Sequence, residues 1–273
     1  PKPDCCPRGA TGFRAAAQED LVARGVAPER IPDETLGPVR EICVARADGG
    51  RIRRGYRYNR CDRGIAQGKP GLSREDRDKW NARYAEGAYA DRTHPSPLLE
   101  EWLPRLEVSA ASPRAVDIAC GNGRNALFLA RNGWQVDAVD ISDVALQNVA
   151  KSAEDESLAV QCVAADLESA ESIPAPILPP QAYDLAIIFR YANLPLLKRV
   201  GASLKPGGYL IVEAHLQTDA EVIGPGSARF RLAPGALRAA AGELAVVDYS
   251  EGLVEDPDGR LAALARLVAR AVN

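Results

Sequence analysis

Asp117, Gly121, Gly123, Asp140 and Asp166 are residues of this chain whose types and placing could do chemistry. Asp117 lies inside the apolar run Ala115–Ala119, four residues before Gly121. The glycine pair follows that run directly, where a backbone free of side chains can turn sharply and approach a ligand. Asp140 closes the run Gln135–Val139, and a carboxylate there can accept bonds from both hydroxyls of a ribose. Asp166 follows Ala159–Val163 in Ala164-Ala165-Asp166-Leu167. Its side chain can meet an adenine amino group while a neighbouring backbone N–H meets a ring nitrogen.

Plainer roles stay open to each carboxylate. Asp117 could cap a helix or pin a loop. Asp140 could cap the helix after it, although Ser142 serves that end better, and Asp166 could hold a turn. The glycines also satisfy Gly121-x-Gly123-x-x-Ala126, the dinucleotide fingerprint, with Asp140 near the ribose distance. An NAD(P)-dependent oxidoreductase is therefore an alternative. Two features count against it. A carboxylate at 117 suits a ligand carrying an ammonium and sits poorly against a pyrophosphate. The turn Leu204-Lys205-Pro206-Gly207-Gly208 has no role in hydride transfer and is common in class I methyltransferases.

The motifs Trp80-Asn81-x-Arg83-Tyr84, Val116-Asp117-Ile118-Ala119-Cys120-Gly121-x-Gly123-Arg124-Asn125, Val139-Asp140-Ile141-Ser142 and Phe189-Arg190-Tyr191 carry a resemblance. Over roughly residues 73–273 the chain resembles the tellurite-resistance and thiopurine type of class I S-adenosylmethionine-dependent methyltransferase. The resemblance implies S-adenosyl-L-methionine as cofactor. It implies that Asp117, Gly121 and Gly123 meet the methionine end, Asp140 the ribose, and Asp166 with Leu167 the adenine. Ala119, Asn125, Ile141 and Phe189 complete the expected cofactor site. Residues 1–70 match nothing in that family.

Methyl transfer from a sulfonium is an in-line displacement, so the protein mainly aligns nucleophile, methyl and leaving sulfur. A soft acceptor such as a thiol, selenium or tellurium compound needs little or no general base. Arg190 and His215 are the candidate catalytic groups, with Trp80, Tyr84, Arg124 and Tyr191 on the substrate side. Arg190 either faces an anionic acceptor or pairs with Asp184 or Glu213. His215 is either a base or anion ligand, or a loop histidine bonded to backbone. Trp80 and Tyr84 either lid the cofactor or pack helix on sheet. His94, before Pro95, reads as a turn residue. No His/Cys/Asp cluster of metal-ligand spacing occurs in the main domain, so no metal is expected.

These residues need a scaffold. After Ser112-Pro113 the pattern alternates: strand Ala115–Ala119, helix Arg124–Asn132, strand Gln135–Val139, helix Asp143–Ala153 capped by Ser142, strand Ala159–Val163. A proline-rich loop, Ile173–Pro180, precedes strand Leu185–Phe189, helix Leu194–Leu204 and strand Tyr209–Glu213. Alternation of this kind predicts an α/β, Rossmann-like parallel sheet with helices on both faces. Leu244–Tyr249 and Leu261–Val268 flank Asp256-Pro257-Asp258-Gly259 and predict an antiparallel C-terminal edge hairpin. Upstream, Ser73 with Asp76 predicts a helix start that puts Trp80 and Tyr84 on one face. Ser96 and Pro97 open a second helix with the apolar stripe Leu98, Leu99, Trp102, Leu103 and Leu106.

Residues 1–70 read as a small extension or module of unknown role, and 71–273 as the methyltransferase domain. The extension offers a helix Thr11–Arg24, a hairpin of Val39–Ala45 with Ile52–Tyr58, and a linker Gln67–Gly71. Its arginine-rich strand, with Tyr56 and Tyr58 interleaved, reads either as a solvated edge or as a surface for an acidic partner. A catalytically silent S-adenosylmethionine-binding module that engages a partner through this hairpin is a second alternative. Residues 1–70 hold 14 Lys and Arg against 9 Asp and Glu, and residues 71–273 hold 20 against 28. The acidic main domain argues against nucleic acid as partner and for a small-molecule acceptor. Cys120 and Cys162 read as small buried hydrophobes, and no C-x-x-C pair occurs. No spanning stretch and no signal-peptide pattern is present, so a cytoplasmic protein away from membranes is expected.

Overall fold

The computed structural model describes residues 40–41, 56–57, 72–168 and 177–272. The expected helix Thr11–Arg24, the linker 67–71, residues 173–176 of the proline-rich loop, and Cys5, Cys6, Cys43 and Cys61 lie outside the described residues. The chain falls into two units, Pro1–Gly64 and Ile65–Asn273. In the first, β1 (Arg40–Glu41) pairs antiparallel with β2 (Tyr56–Arg57), Arg40 opposite Arg57.

The second unit is a seven-stranded sheet between two helical layers. Its strands are β3 (Arg114–Ile118), β4 (Gln135–Asp140), β5 (Val160–Ala164), β6 (Tyr183–Phe189), β7 (Leu204–His215), β8 (Ala245–Glu255) and β9 (Leu261–Arg270). They run in the order β5-β4-β3-β6-β7-β9-β8. The first five are parallel, and β9 and β8 add to the β7 edge antiparallel. The order reverses at β3, where the neighbours β4 and β6 both start crossovers. The crevice beyond the carboxyl ends of β3, β4 and β6 is therefore the place this topology offers a ligand.

Side-chain alternation along each strand feeds two cores. Val116, Ile118, Leu210 and Val212 join Leu196, Leu197 and Val200 of α5 (Leu194–Ser203) and Leu237 of α6 (Ala236–Ala240) on one face. Ala115, Val136, Ala138, Leu185, Ile187 and Ile211 join Ala126 and Leu129 of α3 (Arg124–Arg131) and Val149 of α4 (Asp143–Asp155) on the other. Ser142 caps α4 as expected, its hydroxyl accepting the Ala145 N–H at 3.2 Å.

Several boundaries differ from expectation, among them the start of β7, which lies at Leu204 instead of Tyr209 because Leu204 already pairs with Tyr183 of β6. The helix α1 (Leu72–Ala85) begins one residue before Ser73, so Ser73 lies within it rather than ahead of it. The helix α2 stops at Trp102 (Pro97–Trp102) and tightens into a 3-10 turn, Leu103–Arg105, because Pro104 has no N–H to continue it. The edge strand β8 runs to Glu255, six residues past the expected end, paired along its length with β9.

Candidate active site

Between β3 and α3 the backbone is left-handed at Ala119 (φ 57°), Gly121 (φ 54°) and Gly123 (φ 75°). Gly123 is required on a second count, since a Cβ there would lie 2.6 Å from Val149 Cγ2 on α4. The turn is held from β4: Cys120 N–H donates to the Val139 carbonyl at 3.0 Å, and Gly121 N–H to Asp140 Oδ2 at 2.8 Å. Asp140 Oδ1 accepts the Ser142 N–H at 2.9 Å, so this one carboxylate joins two loops. Burial pushes its carboxyl above the usual range, while the N–H groups of Ser142, Gly121 and Ile141 pull it down. Each oxygen keeps a lone pair for a further donor.

Asp117 is 1% exposed, and its Oδ2 is buried without a hydrogen-bond partner. Burial pushes its carboxyl up to about 8, opposed by the Arg124 charge and reinforced by Asp140. An acid buried with one oxygen unsatisfied is costly unless a donor arrives, and a cation would satisfy both its charge and its lone pairs.

The next strand ends are tied together. Ala165 N–H donates to the Asp140 carbonyl at 2.9 Å, and Asp166 Oδ1 accepts the Glu168 N–H at 3.0 Å. The Leu167 carbonyl accepts from Asn193 Nδ2 at 2.7 Å, and Asn193 Oδ1 caps α5 by accepting the Leu196 N–H at 3.3 Å. Asp117, Asp140 and Asp166 thus sit at or just past three neighbouring strands. Ala119 and Ile141 are half-buried beside them, and Phe189 is in the core. Asn125 points elsewhere: its Oδ1 accepts the Ser96 N–H at 2.8 Å and fixes the start of α2.

The segment from α1 to His94 crosses over the glycine turn. Asn81 Oδ1 accepts the Ser142 hydroxyl at 2.8 Å and the Val144 N–H at 3.3 Å, docking α1 on the start of α4. Trp80 and Tyr84, with ring centroids 6.0 Å apart, are both half-buried. The Tyr84 hydroxyl stands 2.7 Å from where a Gly121 Cβ would be. Burial, then the Asp140 charge, push the Tyr84 phenol up. Asn122 Nδ2 donates to the Ala88 carbonyl at 3.4 Å and Arg124 Nη1 to that of His94 at 3.3 Å.

On the far side, Arg190 follows β6 with a left-handed φ of 62°. Its Nε donates to Glu213 Oε1 at 2.9 Å and its Nη2 to Asp256 Oδ1 at 2.6 Å; Asp184 instead pairs with Lys205 at 2.7 Å. Glu213 Oε2 accepts from Arg266 Nε at 2.9 Å. Tyr191 donates to Glu168 Oε1 at 3.3 Å. His215 is 8% exposed and its Nδ1 has no partner. Burial, then the charges of Arg190 and Arg231, hold it down at about 4, so it is neutral near pH 7.

Sequence reasoning missed Asn81, Asn193, Glu213 as a bridge, Asp256 and Arg231. Asn193 ahead of Leu194-Pro195 is a readable helix cap. The others act across long sequence separations, which local patterns do not encode.

Comparison with known proteins gives this geometry a setting. Residues 115–208 match the family model described as a methyltransferase domain. That match covers about a third of this chain. The fold around it is that of class I S-adenosylmethionine-dependent methyltransferases. TehB from Haemophilus influenzae is similar with a TM-score of 0.53 and 21% identity, over 69% of this chain and 66% of its own. Geranyl diphosphate C-methyltransferase from Streptomyces coelicolor A3(2) is similar with a TM-score of 0.57 and 14% identity, over 76% of this chain and 100% of its own. At those identities the likeness is one of fold. Hemagglutinin 1 from Eikenella corrodens is 30% identical over 122 residues, 42% of this chain and 38% of that protein. The chain spans well under half of that relative and just under two thirds of TehB. Among the described residues, no helix is long and apolar enough to cross a membrane.

Proposed function

We propose that residues 71–273 transfer a methyl group from S-adenosylmethionine to a small soft or anionic acceptor, and that residues 1–70 are a separate module. The observation that carries the reading is the unpartnered, buried Oδ2 of Asp117 beside the glycine turn. A carboxylate in that state fits an ammonium, which the methionine end of the donor carries. Asp140 would take the ribose hydroxyls on its remaining lone pairs, and Asp166 with Leu167 the adenine. Ala119, Gly121, Gly123, Ile141 and Phe189 would line the path, with Trp80 and Tyr84 above it.

Bound S-adenosylmethionine supplies an electrophilic methyl: the acceptor lone pair bonds to that carbon as the carbon–sulfur bond breaks and its electron pair stays on sulfur. The protein's share is placement. The Glu213 and Asp256 pairs fix the Arg190 guanidinium, and α1 with the segment to His94 keeps water from the glycine turn. His215 is neutral, so it adds no charge opposing the sulfonium. A base with so low a pKa takes up little proton near neutrality, which suits an acceptor that arrives already ionised, as a thiolate does. Cys120 and Cys162 form no disulfide among the described residues, which suits a reducing compartment, and we place the reaction in the cytoplasm.

The dinucleotide alternative is weakened by the Gly121 N–H, which is occupied by Asp140 and so not turned to a pyrophosphate. The test is mass-spectrometric detection of methyl transfer across thiols, selenite, tellurite, amines and alcohols. Methylation of soft acceptors above amines and alcohols supports the reading. Binding of S-adenosylhomocysteine with no transfer to any of them would make the chain a silent binding module.

A further inference from the structure

Arg190 is held in an unusual state. It is a non-glycine residue in the left-handed region, its side chain is 14% exposed, and its Nη1 is buried without an acceptor although Nε and Nη2 are both paired. Strain and an unmet donor together persist only where the surroundings enforce them. The surroundings here are Glu213, fully buried and shared between Arg190 and Arg266, and Asp256. Two carboxylates so serve these two guanidinium groups.

Two further cations near them, Arg124 and Arg231, make no ion pair within 4.0 Å among the described residues. Arg124, the first residue of α3, has one hydrogen bond, to the His94 carbonyl, and no ion pair within 4.0 Å among the described residues. Arg231 gives its N–H groups to the carbonyls of Pro225, Leu216 and Ile223. The charge of Arg190 lowers the affinity of Arg124 for its proton, second only to burial, so the two guanidinium groups feel each other. This end of the sheet therefore holds a buried donor with nothing to bond, coupled in charge to a guanidinium that makes no ion pair among the described residues. A compact oxyanion supplies what is lacking, because it can accept from two guanidinium groups at once.

We propose that Arg190 Nη1 and Arg124 seat a carboxylate of the methyl acceptor, distinct from its nucleophilic atom. The acceptor class is then a small carboxylic acid bearing a soft nucleophile. This rests on the methyl-transfer reading, since Arg124 opens the helix that follows the glycine turn and its charge acts on Asp117.

The test uses the full chain loaded with S-adenosylhomocysteine. Calorimetry first measures that loading, then the binding of mercaptoacetate, 3-mercaptopropionate and 4-mercaptobutyrate, each against its amide. At least one acid should bind at least tenfold tighter than its amide. Arg124→Gln, which breaks no ion pair, should bring that ratio to within twofold. Arg190→Lys should do the same if folded, and Arg124→Gln decides the matter if it is not. Loading followed by equal binding of every acid and its amide overturns the seat alone, as does a preference that survives Arg124→Gln. Failure to load overturns the methyl-transfer reading and the seat with it.

Discussion

The Asp140 carboxylate accepts the Gly121 N–H at 2.8 Å, so the residue that ends β4 also fixes the turn that follows β3. A single side chain thereby couples the loops that follow β3 and β4. Asp140→Ala should leave the sheet intact but free two buried N–H groups, those of Gly121 and Ser142. We expect a loss of about 1–3 kcal/mol in stability, the range for unsatisfied buried donors. Affinity for S-adenosylhomocysteine should fall by tenfold or more. Denaturant unfolding and calorimetry on the same preparation check both, and unchanged affinity would remove Asp140 from the ribose role.

The helix α1 has no fully buried residue among those whose exposure is described, and Asn81 anchors it through Ser142 and Val144. Asn81→Ala should therefore loosen α1 selectively, at about 1 kcal/mol per lost hydrogen bond. Hydrogen exchange across residues 74–85 should accelerate while β3 and β6 keep their protection. Uniform acceleration across the sheet would show that α1 is part of the core instead of a cover.

His215 is held down at about 4, against 6.5 unperturbed, mainly by burial. The folded pKa lies below the unfolded one, so its contribution to stability is present above 6.5 and is lost as pH falls toward 4. Between pH 6 and 8 it should not titrate. The pH–rate profile should then follow ionisation of the acceptor, with two thiols of different pKa giving two displaced curves. A limb near 6.5 that stays put when the acceptor changes, and vanishes in His215→Asn, would make His215 the base.

The β-strand alternation, the Ser142 cap and the aspartates beside the glycine turn were legible in the sequence because each is a local pattern. Strand periodicity located β3, β4 and β6 to within two residues. The sequence was ambiguous where one residue type serves either ligand or scaffold. Arg190 illustrates this: substrate contact and a pair with Glu213 were both open, and in the structure two of its nitrogens are braced and the third is not. Asn125 falls in the glycine motif, yet its side chain bonds Ser96, 29 residues away. Gly224 belongs to no local sequence pattern. A Cβ there would come within 2.6 Å of the His215 ring, a contact set by β7 and the following loop together.

Asp117 is proposed to receive the ammonium of the methyl donor. Its carboxyl stands at about 8 when buried alone, against 3.8 unperturbed. The folded pKa is raised, so the ligand-free domain is favoured by the protonated acid and loses stability as pH climbs from about 4 through 8, by up to about 1.4 kcal/mol per pH unit. Asp117→Asn should accordingly stabilise the ligand-free domain near pH 8 while weakening S-adenosylhomocysteine. Binding of the ligand's ammonium requires the carboxylate, so wild-type protein should release close to one proton on binding at pH 6 to 7 and little at pH 9. Calorimetry with S-adenosylhomocysteine in buffers of differing ionisation enthalpy measures this directly. Binding with proton release at pH 6 to 7, and at least tenfold weaker binding without it in Asp117→Asn, is the predicted result. Binding that releases no proton and is indifferent to Asp117→Asn, or preference for NADH over S-adenosylhomocysteine, would contradict it.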